Sequence, residues 1–171
     1  MKMKIDLGCG LNRRPGFIGI DQYPNKNVDI VADLDKEGIP LDSNTVDYVY
    51  SSHLLEHLFN LDFVIREIYR VCKHNAIVEI HVPHFSFPQY EFHVRTFRYE
   101  SLKDYEITDY NNKMIGMPDY FKCLSRQLVC TKWYKFFEKF INRHPYLYEQ
   151  SFLCSFIKCA DLIIMFQAIK K

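Results

Sequence analysis

Short apolar runs separated by glycine, proline and polar loops, with one clear helical stripe among them, predict an α/β chain. Lys4-Ile5-Asp6-Leu7 reads as a first strand that runs straight into Gly8-Cys9-Gly10, and Phe17-Ile18-Gly19-Ile20-Asp21 as a second. Val28 to Leu34 predicts a third strand and Val46 to Tyr50 a fourth. Asn60 and Asp62 are N-cap signals for a helix over 63–72, whose apolar residues Val64, Ile65, Ile68, Val71 and Cys72 make one stripe and imply core rather than chemistry. Asn75 suits the left-handed residue that closes such a helix. Ala76 to Val82 is then a fifth strand and Tyr120 to Cys130 a sixth. Strands one, two, four and five all release their loops at one rim, where open α/β sheets bind ligands.

Chemistry concentrates on that rim. Gly8 and Gly10 let the backbone turn sharply and approach a ligand without Cβ interference, and Asp21, closing the next strand, can hydrogen-bond a ribose diol. A dinucleotide site calls for G-x-G-x-x-G opening a helix, with the acid about 20 residues on. Here Arg13 stands at the third glycine position, and Asp21 follows Gly10 by only eleven residues, interrupted by Pro15-Gly16. That interval is too short for a crossover helix, so pyrophosphate loses its seat. A cofactor with a ribose and a zwitterionic tail but no phosphate fits better, and Asp6 also favours a cation.

At these residues the chain resembles the class I S-adenosylmethionine-dependent methyltransferases, particularly the small type-11-like group. Ser51-Ser52-His53-Leu54-Leu55-Glu56-His57-Leu58, directly after the fourth strand, is similar to a run that the family carries at the same place. The resemblance implies a Rossmann-like three-layer sandwich around a mostly parallel seven-stranded sheet. Its last strand, Asp161 to Ile169, would be antiparallel beside the sixth, and its first crossover helices shortened or absent. It implies S-adenosyl-L-methionine as cofactor, bound through Asp6, Gly8, Cys9, Gly10, Asp21, Gln22, Asp33, Leu34, Ser51 and His53. Asp33 and Leu34 match the adenine-facing position, although a polar strand-end turn explains Asp33 equally well. Residues 85–119 would form a lid and acceptor region, and Glu91 to Phe97 resembles a stretch that folds back over the site.

Methyl transfer depends mostly on in-line positioning, worth up to roughly 7–11 kcal/mol, and a hydroxyl acceptor also needs a base. His53, His84 and His93 are the candidates for that base, acting on an oxygen or nitrogen of a small molecule such as a sugar. Two other readings compete. One is a noncatalytic partner that keeps the fold. The other is a zinc hydrolase, because His53-x-x-Glu56-His57 also spells H-x-x-E-H, with His81, His84 or His93 as third ligand. That motif belongs within a long helix, whereas this one begins at a strand tip, so no metal is expected.

Composition changes the picture little. With 171 residues, 48% hydrophobic and 25% charged, the chain is expected to form one domain over 1–171. A net charge of +1 offers no overall case for nucleic acid. Six cysteines without a C-x-x-C pair, and no signal peptide before Lys4, point to reduced thiols and a cytoplasmic location. The longest apolar run, Leu162 to Phe166, is far below the ~18 residues of a spanning helix. Within the 131–158 connection to the last strand, Trp133, Phe136, Phe137, Phe140 and Ile141 recur at helical spacing beside Lys132, Lys135, Lys139 and Arg143. Packing on the sheet is the expected use of this stripe, with peripheral contact to a membrane or lipid-linked substrate as the other. Nothing in the sequence indicates the oligomeric state.

Overall fold

The computed structural model describes residues 2–88, 90–107 and 120–170. Residues 108–119 of the expected lid therefore lie outside the described residues, as does Gln89. Seven strands form one sheet: β1 (Lys4–Leu7), β2 (Ile18–Asp21), β3 (Ile30–Val31), β4 (Val46–Ser52), β5 (Cys72–Pro83), β6 (Phe121–Cys130) and β7 (Cys159–Ala168). Their order is β3-β2-β1-β4-β5-β7-β6, and β7 runs antiparallel between β5 and β6, as the resemblance implied. Among the described residues the α-helices are α1 (Leu61–Val71), α2 (Glu138–Arg143), α3 (Pro145–Gln150) and α4 (Leu153–Phe156).

Sheet register decides where the core sits. Ile5, Val49, Val78 and Phe166 lie in one cross-strand row, and Leu7, Ser51, Ile80 and Ile164 in the next. All are buried, and the apolar ones join Val64, Ile65, Ile68 and Val71 of α1 in a single cluster. The alternate rows, with Tyr48, Tyr50, Ile77, Glu79 and Met165, face the other way and are only half-buried.

That second face carries loop side chains where a doubly wound sheet would carry helices. No helix separates β1, β2, β3 and β4 among the described residues. Arg14, in the β1–β2 loop, donates to Glu79 Oε2 at 2.6 Å, and its guanidinium lies 4.4 Å from the Tyr50 ring centroid and 5.2 Å from that of Phe17. Its backbone N–H donates to the buried Asp6 carboxylate at 2.7 Å. Arg14→Ala is therefore expected to lower stability by about 1–3 kcal/mol in urea denaturation, through lost packing and the loss of a charge-assisted hydrogen bond to Glu79, which keeps only Tyr48 and His81. An unchanged midpoint would mean that the loop does not substitute for the missing layer.

The structure corrects several boundaries. The third strand is only Ile30–Val31, because Asp33 turns the chain: its Oδ1 accepts from Asp35 N at 3.1 Å and its carbonyl from Glu37 N at 2.7 Å. Asn75 is left-handed (φ 66°), but inside β5, where pairing with β4 jumps from Val46–Cys72 to Tyr48–Ile77. The helix itself ends at Val71 and passes directly into strand. The aromatic stripe does not pack as expected. It begins as a tight 3-10 turn (Lys132–Phe137), Trp133 and Phe136 are each 91% exposed, and only Ile141 of the five is buried. The 3-10 turn points successive rings outward, while Asn142 bonds both backbone groups of Leu128 and ties α2 to the free edge of β6. No helix among the described residues is long and apolar enough to cross a membrane.

Candidate active site

The first cleft, about 290 Å³, opens where β1 to β4 end. Gly8 (φ 68°) leaves β1 with its amide donating to Ile20 O at 2.8 Å, and a Cβ there would meet Leu54 Cβ at 3.0 Å. Asp21 accepts from Gly10 N and Tyr23 N, each at 2.9 Å, which fixes the carboxylate while leaving acceptor capacity on both oxygens. Ala32, Leu34, Leu54 and Leu58 supply apolar walls, and Asp33, Asp35 and Gln22 supply polar atoms. Among the described residues, the basic side chains lining the cleft are His57 and Lys36, the latter bound to Asp33 Oδ2 at 2.7 Å. Asp33 is held below the usual carboxylate range by that ammonium.

This donor set fits an adenosyl group. Carboxylates can take a ribose diol, apolar walls can take a purine, and Gly8 keeps one wall free of a Cβ. A pyrophosphate would meet three carboxylates, those of Asp21, Asp33 and Asp35.

Of the cofactor residues expected from sequence, Gly8, Asp21, Gln22, Asp33 and Leu34 line this cleft, and Asp6, Cys9, Gly10, Ser51 and His53 do not. Gly10 acts through Asp21. Asp6 is buried beneath the loop, and its carboxyl is raised by burial against the opposing pull of the Arg14 amide. Cys9 is buried, with its thiol pushed up to about 11 by burial and then by the Asp6 and Asp21 charges. Ser51 Oγ is buried without a partner among the described residues. Ala32, Asp35, Lys36, Leu54, His57, Leu58 and Phe59 were missed. Asp35 accepts from Phe59 N and Asn60 N, tying the β3 and β4 loops together. Counting every residue within a few positions of each strand end would have found most of them.

A second cavity, about 530 Å³, adjoins the first, sharing His57 with it. His53, Glu56, Pro83, Phe87, Tyr90, Phe92, His93, Ala160 and Asp161 also line it. His53 takes a left-handed backbone (φ 53°) immediately after β4, a conformation costing a non-glycine residue about 1 kcal/mol or more. It places the imidazole between two carboxylates: Nδ1 is 3.2 Å from Glu56 Oε1 and Nε2 is 3.4 Å from Asp161 Oδ1. The Glu56 hydrogen bond raises the His53 pKa, burial opposes it, and Asp161 adds to the rise. Burial likewise raises Asp161, against the His53 charge. Val94 N donates to Glu56 O at 2.9 Å and Arg95 donates to the Leu58 carbonyl, holding the 90–95 segment over this cavity.

His93 therefore reaches the cavity with His53, but His84 does not. It is fully buried, with Nδ1 2.9 Å from Ser86 Oγ and Nε2 2.9 Å from Glu149 Oε1, which also accepts from Tyr99 N. The H-x-x-E-H helix is also absent: His53 precedes a single 3-10 turn (Leu55–His57) and points to Asp161 rather than sharing a helical face with His57.

Comparisons with known proteins agree with this geometry. The family model described as a methyltransferase domain matches residues 8–80. A search of curated proteins returns no significant match. Among solved structures, a SAM-dependent methyltransferase from Archaeoglobus fulgidus is 17% identical, with a TM-score of 0.64 over 97% of this chain and 86% of that one. The [4+2]-cyclase SpnF is 16% identical, with a TM-score of 0.61 over 99% and 75%. A putative methyltransferase complexed with the Haloferax volcanii Trm112 activator is 13% identical, with a TM-score of 0.57 over 99% and 83%. Residues 8–80 match a methyltransferase domain, and the sheet order and rim cleft are those of the class I methyltransferase fold, which supports S-adenosyl-L-methionine as the cofactor.

Proposed function

We propose that the protein transfers a methyl group to an oxygen or nitrogen of a small molecule held in the second cavity. The observation that carries this reading is His53, strained into a left-handed turn and flanked by Glu56 and Asp161 on the wall of a cavity that adjoins the cofactor cleft. When bound, S-adenosylmethionine supplies an activated methyl group together with its leaving group.

The chain's residues do the rest. Asp21, Asp33 and Leu34 hold the nucleoside side, and the mainly apolar second cavity excludes water from the acceptor. His53 takes the acceptor's proton, and the carboxylates on either side stabilise the imidazolium that forms. His93 closes the cavity from above.

Calorimetry with S-adenosylmethionine and S-adenosylhomocysteine tests the first step, with 1:1 binding expected. Release of S-adenosylhomocysteine across a panel of sugars, phenols and amines tests the second. Absence of binding by either cofactor form at millimolar concentration would sink the enzyme reading. The alternative, a noncatalytic partner, is favoured by the exposed Trp133 and Phe136, a ready docking surface.

A further inference from the structure

We propose that Glu56, His57 and His93 bind a divalent transition-metal ion of the zinc class at the wall of the second cavity. Each residue offers one ligand atom, and these atoms lie within 4.8 Å of one another. Tetrahedral metal bonds of about 2.0–2.2 Å put ligand atoms about 3.3–3.6 Å apart, so side-chain movements of roughly an ångström close the set. Two imidazoles and one carboxylate suit zinc or iron-like ions rather than magnesium or calcium, which take oxygen ligands.

Three independent features point the same way. Glu56 is completely buried, yet its Oε2 has no hydrogen-bond partner among the described residues. Burying a carboxylate oxygen without a partner is costly, and a cation would relieve that cost. Next, His57 Nδ1 lies 3.2 Å from Phe92 O, so it serves as the donor and leaves the Nε2 lone pair available. A backbone carbonyl in that role is the usual outer support of a metal-bound histidine. His53 Nδ1 gives Glu56 Oε1 the corresponding support, leaving Oε2 for the ion. Finally, the His57 and His93 rings meet edge to face, with centroids 5.0 Å apart, so that residues from two separate segments converge on one point.

The ion's remaining positions would face a cavity large enough for a substrate, which makes a hydroxyl-bearing acceptor able to coordinate the metal the matching substrate class. That catalytic use rests on the methyl-transfer reading above, whereas the binding itself does not.

The test uses untagged full-length protein, stripped with chelator and titrated with Zn²⁺ by calorimetry and with Co²⁺ by visible absorption. One ion per chain is expected, with a Co²⁺ spectrum of low coordination number. His93→Ala and His57→Ala should each weaken Zn²⁺ binding by at least about 100-fold. His74→Ala and His144→Ala, which alter exposed histidines away from both cavities, should leave it unchanged. Glu56→Gln should also weaken binding; because Glu56 is buried, a folding defect there is controlled by the two histidine variants. No binding above that of the His57→Ala/His93→Ala double variant would overturn the proposal, as would stoichiometric binding that survives in it. S-adenosylmethionine titration of the stripped protein separates the two readings: cofactor binding without any metal site leaves methyl transfer standing and removes the metal alone.

Discussion

His53→Asn is expected to lower turnover by about 10²–10⁴-fold while cofactor affinity stays within a few-fold. Asparagine is the informative replacement because His53 has φ 53°, and asparagine tolerates that region better than alanine does. Its amide can still donate to Glu56 Oε1, so the turn and the buried carboxylate keep their partner. What disappears is the group able to accept and hold a proton beside Asp161. Calorimetry should report near-normal S-adenosylmethionine binding, because His53 lines the second cavity and not the first. Unchanged turnover would show that positioning alone suffices; loss of cofactor binding would show that the residue shapes the cleft instead. Asp161→Asn, which removes one of the flanking charges, should have a smaller effect in the same direction.

The second large effect lies in the short crossover. Gly19→Ala is expected to cost more than about 3 kcal/mol, enough to threaten folding of a domain of ordinary stability. A Cβ at this position would sit 2.4 Å from Asn27 O and 2.8 Å from Cys9 Sγ. The first is a backbone atom that cannot swing aside, because the loop is held from both ends. Asp29 N donates to Gly19 O at 2.9 Å, and the Asp29 carboxylate accepts from Gly19 N at 2.8 Å and pairs with Arg13. Overpacking against a side chain would cost less, since side chains can repack. Gly16→Ala is the matched control: its φ is 80° but nothing lies within 4 Å, so a loss of about 1 kcal/mol is expected from backbone conformation alone. Urea midpoints of the two variants measure the difference, and equal midpoints would show that the 22–29 loop moves freely.

Gly19 and Asp29 also explain how parallel strands can follow one another without helices. The usual crossover exists because the chain must return to the starting edge of the sheet. Here tight loops make that return with side-chain carboxylates bonding backbone amides, and β2 and β3 are correspondingly short. The result is a sheet with one well-buried face and one covered by Arg14 and Phe17. The interval between Gly10 and Asp21 was legible as too short for a helix; its replacement by an arginine stacked on Tyr50 was not, because Tyr50 and Glu79 belong to strands far along the chain.

Local signals carried the strands of the fold and part of the candidate cleft. Strand ends, glycine turns and the carboxylate of Asp21 are encoded within a few residues of one another, so the rim, the cofactor cleft and the α1 stripe could be read from sequence alone. The three histidines could not be ranked that way, since a histidine's role depends on partners remote in the chain. His84 meets Glu149 and Ser86 in the interior, His53 meets Asp161 from the last strand, and His57 meets His93 from the segment above. The aromatic run from Trp133 failed for the same reason: its spacing fits a helix, but whether a face is covered depends on what the rest of the chain brings to it. Sequence by itself determined the individual strands, the rim and a nucleoside signal, because those follow from short-range periodicity and turn chemistry, whereas the antiparallel last strand was implied by the family resemblance. Only the tertiary structure decided which side chains line the second cavity and which are buried as packing, because burial and long-range pairing set the chemistry of an imidazole.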